Sequence, residues 1–474
     1  MEGQLSSPIQ KATADVLMLI FDTYCQTPSE RSLTLDFPQK PQDILNRKEP
    51  FVLSHVCRDW RRIITTMPNL WNEISIAGIV NDRHLFLARL YLERSGTTPL
   101  YITVYHEIRR WLLPLGLSTL RCSKTGMLFE ILLESRARWR SLRASLNDVP
   151  NNLVEAFSVE AFPILQTANI DDCSGEFPPG GDVIARAPQL RRYYLGDFRA
   201  IALSNSSLLT QITHLDTGRC RPTSVNDILA ALPLLPHLTH LSFHIDSSQG
   251  PFPILDSRIP FPSLQSLAIQ DISGKALTDI LNSMDLPSLR SLRIITYRDR
   301  PEFWEQFDQA MSRSPLESLH WTEYLNFRDL GRITDCLRCS SLRGLTDLQL
   351  SVSHDAVPSQ ALALLSTGVL PKLRSFGFSW DSFATFAMGQ VAERELVDMV
   401  AARVAKSREL APEDILVGLE SECEDGSWLS LVADEFHNKY GVDITREDFY
   451  LPKDVSRLSC SGLPTLPVES DCVR

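Results

Sequence analysis

The chain has 474 residues, 43% of them apolar and 22% charged, an ordinary globular composition at a length greater than one typical domain. A formal net charge of -11 argues against nonspecific binding to nucleic acid or an acidic membrane, which would need a basic face, and no apolar run approaches the roughly 20 residues a bilayer needs. Ten cysteines without paired spacing indicate free thiols in a reducing compartment; MEGQLSSPIQ lacks a basic region followed by an apolar core, so the expected location is cytoplasmic or nuclear.

In chain order, the first predicted helix covers Asp15 to Cys25, with Val16, Leu17, Ile20, Phe21 and Tyr24 on one stripe. Thr27 to Pro50 carries four prolines and predicts a loop. LSHVCRDWRRII, Leu53 to Ile64, predicts a second amphipathic helix with Leu53, Val56, Cys57, Trp60 and Ile64 on one face, stopped by Pro68. Its basic run, Arg58 to Arg62, is interrupted by Asp59 and Trp60 and fits a solvated helix face.

From Trp71 onward a short phrase returns: an apolar anchor with further apolar residues three and five positions later. PHLTHLSF at Pro236, FPSLQSLAI at Phe261, LPSLRSLRI at Leu286 and LPKLRSFGF at Leu370 are its plainest copies. From Leu165 to Leu373 the anchors step by 25, 22, 26, 26, 25, 27, 29 and 28 residues. Such a period marks a leucine-rich-repeat solenoid, whose units are too small to bury their own apolar faces and stack on one another. Positions three and five lie on one side of a strand, so Leu241 and Phe243 point inward together while positions two, four and six face outward. Short helices return the chain, as over Asn81 to Glu93, Val225 to Leu232 and the face of Phe303, Phe307, Ala310 and Met311. The strands must therefore pair in parallel. Trp71/Ile74/Ile76, Thr97/Leu100/Ile102 and Trp139/Leu142/Ala144 extend the pattern backward to give twelve strands, with Leu416, Leu419 and Ser421 marking a thirteenth. At about 4.8 Å per strand the sheet is roughly 55 Å long. Gln390 to Arg408 predicts a longer helix, Trp428 to Tyr440 a helical cap on the stack, and residues 451–474 a disordered tail.

LSHVCRDWRRII followed by MPNLW resembles the second half of the F-box in fungal F-box-like proteins, and ADVLMLIF at Ala14 to Phe21 is similar to its first helix. Ala12 and Thr13 stand where that motif usually opens with Leu-Pro, and the Thr27 to Pro50 insertion is longer than the family pattern. The resemblance implies an α/β chain with a helical F-box domain over 1–70, including a loop insertion over 27–50. A solenoid with its cap would follow over 71–450, parallel strands on one face and helices on the other. It further implies the substrate-recognition subunit of a Skp, cullin and F-box ubiquitin ligase: the F-box would dock on a Skp-type adaptor and the solenoid would hold an unidentified target protein. On that reading the protein is not an enzyme and needs no cofactor. The alternative is a non-catalytic scaffold whose helical N-terminus only caps the solenoid.

The candidate adaptor surface is Leu17, Ile20, Phe21, Leu53, Val56, Cys57, Trp60 and Ile64, because such docking buries an amphipathic helical face; some of these must instead form the small bundle's own core. The candidate target surface is the outward strand set Arg192, Tyr194, His214, Asp216, His240, His244, Arg293 and His320, within a polar face of mixed sign. His214 and His240 occupy equivalent positions in consecutive units and should be neighbours. They lack a local metal-ligand motif, so no metal is expected. A hydrolase around His214, His240 and Asp216 has no apparent nucleophile. Cys336 and Cys339 form a lone CxxC in a repeat helix and are expected to be core thiols; Gly180 and Gly181 after two prolines predict a plain turn.

Overall fold

The computed structural model describes residues 12–25, 49–78, 80–105, 123–146, 150–172, 186–194, 207–217, 225–245, 258–271, 275–296, 303–323, 331–352, 357–380, 399, 402 and 416–421. Within them a 13-stranded sheet runs strictly in chain order and is parallel throughout. Its strands are β1 (Glu73–Ala77), β2 (Leu100–Tyr105), β3 (Trp139–Leu146), β4 (Thr167–Asp172), β5 (Arg192–Tyr194), β6 (His214–Asp216), β7 (His240–Ile245), β9 (Ser266–Asp271), β11 (Ser291–Thr296), β12 (Ser318–Glu323), β13 (Asp347–Val352), β14 (Ser375–Trp380) and β15 (Leu416–Ser421). A separate two-stranded ribbon pairs β8 (Ile259–Pro260) with β10 (Met284–Asp285). Parallel neighbours need a return crossover. Helices supply it in most units: α4 (Asp82–Arg94), α5 (Ser123–Leu133), α6 (Asn151–Val159), α7 (Val225–Ala231), α8 (Lys275–Ser283), α9 (Phe303–Met311), α10 (Gly331–Arg338) and α11 (Val357–Ser366). Between β5 and β6 the described element is only a 3-10 turn, Ser207–Gln211.

From Leu165 to Leu373 every anchor but Leu316, whose N bonds instead to Ser314 O, closes a turn on the residue three before it, as Leu238 N does on Leu235 O and Leu264 N on Phe261 O. That earlier residue is itself apolar and buried in most units, including Phe162, Leu209, Leu235, Phe261, Leu286 and Leu370. The repeat therefore buries four positions, not three; the L/F-P-x-L phrase carried this signal. One residue past the anchor, a carbonyl accepts two N–H groups from the next unit. Gln166 O takes Arg191 and Arg192, Arg191 O takes Thr213 and His214, and the pattern continues unbroken to Thr346 O, all at 2.8–3.1 Å. The strand register follows, with inward Leu241, Leu267, Leu292, Leu319, Leu348 and Phe376 aligned across six strands. Between β2 and β3 the register slips by one residue at Leu100/Tyr101.

The sequence predicted one helix over Leu53 to Ile64. The structure breaks it into α2 (Glu49–Ser54) and α3 (Arg58–Thr65), after α1 (Ala14–Cys25). Cys57 causes the break: it is extended, and its Sγ accepts from Trp60 N as the cap of α3. Pro50 sits in the first turn of α2, where a missing N–H costs nothing, and so opens a helix instead of ending the loop. The α1–α3 unit packs against the start of the sheet. Phe21 meets Trp60 edge-on at 4.7 Å, Trp71 donates from Nε1 to Ile64 O at 2.9 Å, and Tyr91 of α4 packs on Trp71 at 5.1 Å. One contiguous buried cluster extends from Leu17 to Met399. The thirteenth strand also needs a correction. Val417 and Leu419 pair with Phe376 and Phe378, so the repeat frame lies two residues earlier than Leu416, Leu419 and Ser421 implied. The expected loop over 27–48, the cap at Trp428 to Tyr440, the tail over 451–474, and Gly180 and Gly181 lie outside the described residues; of Gln390 to Arg408 only Met399 and Ala402 are described, both helical.

Candidate functional surfaces

Two surfaces stand out: the exposed side of α1–α3 and the sheet face turned away from the helices. On the first, the eight residues chosen from helical spacing divide. Leu17, Phe21 and Ile64 are buried and serve the shared core, while Leu53 and Trp60 are half-buried against it. Only Ile20, Val56 and Cys57 are exposed. The division was expected of some of the eight and has a simple reason: a short helical bundle spends its most apolar stripe on itself. The structure adds three exposed apolar residues that this choice omitted, Val16 and Leu19 on α1 and Val52 on α2. Val16, Leu19 and Ile20 follow helical spacing along a side of α1 that adjoins the buried one of Leu17 and Phe21.

On the sheet face, His214 and His240 do meet. Their rings stack nearly parallel, 4.1 Å apart with an interplanar angle of 7°. A Thr precedes each His and contacts its ring. The Thr239 hydroxyl lies 2.9 Å from Thr213 O and 2.9 Å from His240 Nδ1; Thr213 makes the same pair of contacts with Arg191 O and His214 Nδ1. Parallel rings aim their nitrogens side by side, whereas one metal needs them to converge at about 2.0–2.1 Å. Among the described residues no group of three His, Cys, Asp or Glu side chains is arranged to hold a metal ion.

Arg192 neighbours His214 in the ladder, and Arg143 stands two strands away on β3. Burial, then His240 and Arg192, push His214 down to about 3. Burial and Arg192 also lower His240. Burial lowers both Arg192 and Arg143, Arg143 further through the like charge of Arg192. Farther along, His320 is pushed down to about 3 by burial and then by Arg293, and its Nε2 contacts Thr322 Oγ1 at 3.3 Å. Tyr194 and His244 are buried, contrary to the solvated positions the alternation suggested, and Asp216 is half-buried in the row of Tyr194 and Ser242. Cys336 and Cys339 are buried; Cys339 Sγ donates to Asp335 O at 3.4 Å, and burial, then Asp308 and Asp335, push its thiol up to about 12. A thiol held protonated this firmly is a packing group.

Neither the known protein-family models nor the curated proteins give a match to this chain. Among solved structures, the chain is similar to a crystal structure of a Bacteroides fragilis protein from a structural genomics consortium. The likeness has 12% identity and a TM-score of 0.26, and covers 56% of this chain and 65% of that one. Less than two thirds of that protein's length is thus spanned. Among the described residues no helix is long and apolar enough to cross a membrane.

Proposed function

We propose that this protein is a non-catalytic recognition subunit: α1–α3 dock on a Skp-type adaptor of a cullin ubiquitin ligase, and the solenoid's helix-free sheet face holds the target protein. The observation that carries this reading is where apolar surface is left uncovered. Of the nine large apolar side chains exposed among the described residues, five lie on the N-terminal helical unit: Val16 (47%), Leu19 (67%), Ile20 (43%), Val52 (59%) and Val56 (58%). Clustered exposed apolar side chains mark protein-binding surfaces. The resemblance of LSHVCRDWRRII and MPNLW to the F-box names the kind of partner. The contribution to ubiquitin transfer would be proximity, holding a target near the conjugating enzyme so that the reaction becomes effectively intramolecular.

The second reading, a scaffold whose helices only cap the stack, draws on the core shared by Phe21, Ile64, Trp71 and Tyr91. One pulldown separates the two. The full-length protein should capture a Skp-type adaptor, and Leu19→Asp with Val56→Asp should abolish capture at an unchanged melting temperature, since both positions are exposed. Absence of capture by the wild-type chain, or capture undiminished in the folded double variant, leaves the scaffold reading standing.

A further inference from the structure

We propose that Arg143, Arg192, His214 and His240 form an oxyanion site on the sheet face, which takes a carboxylate or phosphate group presented by a protein partner. The inference rests on that face being the recognition surface, and not on adaptor docking. Arg192 is the centre: it is paired with His214 in the ladder, with Arg143 toward one edge and the stacked histidines toward the other. Both arginines are half-buried, and among the described residues neither has an ion-pair partner. They stand two strands and two residues of register apart, close enough for the charge of Arg192 to be felt at Arg143. Half-buried like charges without an ion-pair partner are destabilising, and an incoming anion with two or more oxygens would relieve them. A second, independent feature adjoins them: Asn169, the register partner of Arg143, has its Oδ1 buried with no hydrogen-bond partner among the described residues. The amide and the guanidinium groups together suit a ligand that both accepts and donates. The chain's net charge of -11 opposes a long polyanion, so a single local oxyanion on a protein segment fits better than nucleic acid.

The histidines add a condition. Burial and neighbouring charge hold both rings neutral, so they bring no positive charge to meet a fully ionised carboxylate. A monoprotonated phosphate can both donate to and accept from neutral imidazoles, whereas a carboxylate only accepts and should bind more tightly as a falling pH puts a proton on the pair. The described groups around the pair are Arg192 and Tyr194 on β5, Arg191 just before β5, Asp216 and His244 on β6 and β7, and the uncharged Ser266 and Gln270 on β9.

The test is calorimetric titration of the full-length protein at low salt, with inorganic phosphate and with acetate as probes. Saturable phosphate binding is expected, weakened roughly tenfold by Arg192→Gln and measurably by Arg143→Gln, with part of the binding kept in Arg192→Lys. Each Gln variant should melt no lower than wild type, because it removes a half-buried cation that has no ion-pair partner among the described residues. Phosphate binding at neutral pH without acetate binding identifies a phosphorylated side chain as the source; acetate binding that strengthens below about pH 6 identifies a carboxylate. No saturable binding of either probe up to about 10 mM, or binding unaltered in both Gln variants, overturns the proposal. Arg192→Gln should leave adaptor capture unchanged, and the Leu19→Asp and Val56→Asp variant should leave phosphate binding unchanged, so failure of one reading is distinguishable from failure of the other.

Discussion

His214 and His320 show how a single side chain on this face responds to pH. Both fall from 6.5 to about 3 on folding, so between those values the unfolded chain binds more protons. The stability they contribute as neutral groups is fully present above about pH 6.5 and is lost as pH falls toward 3. Relative to wild type, His320→Gln is therefore expected to gain on the order of 1 kcal/mol of stability on going from pH 8 to pH 5, read from denaturant melts at the two pH values. The contact between His214 and His240 was readable from the sequence because their offset equals one repeat, and equal phase in adjacent parallel strands means adjacency. Burial of Tyr194 and His244 was not readable. Alternation tells which side of the sheet a residue takes and nothing about how far solvent reaches it there. The same limit applies to Arg143, which lies on the outward side of β3 yet is not among the residues expected to hold a target.

Trp71 joins the N-terminal helices to the first strand through its packing on Tyr91, the Arg94 guanidinium 4.2 Å above its ring, and the bond from its Nε1 to Ile64 O. Trp71→Ala should destabilise by about 3–5 kcal/mol, while Trp71→Phe, which keeps most of the volume, should lose roughly 1 kcal/mol with the hydrogen bond; thermal melts monitored by circular dichroism would check both. Trp139 repeats the device one unit later, donating to Leu132 O at 3.2 Å. The split between α2 and α3 escaped the periodicity because Leu53, Val56, Trp60 and Ile64 keep helical phase across Cys57. Only the cap on Trp60 N reveals that the helix restarts there. The slip in β15 has a similar cause: a two-residue error leaves Leu419 on the same side of the strand, so the apolar pattern cannot detect it.

Across the molecule, stability should be a sum of units and the interfaces between them. Leu292 is buried at the middle of the sheet, aligned with Leu267 and Leu319. Leu292→Ala is expected to cost about 2–5 kcal/mol. In hydrogen exchange the loss of protection should be greatest in β9, β11 and β12 and smallest in α1–α3; a uniform loss over the whole chain would show a single cooperative body instead. The order of the sheet has a further consequence. Every strand pairs with a strand made just before it in the chain, the one exception being the small ribbon that intervenes around β8 and β10. No contact in the large sheet has to wait for the far end of the polypeptide. As the chain emerges from the ribosome, each new turn finds a finished template beside it, and folding can keep pace with translation.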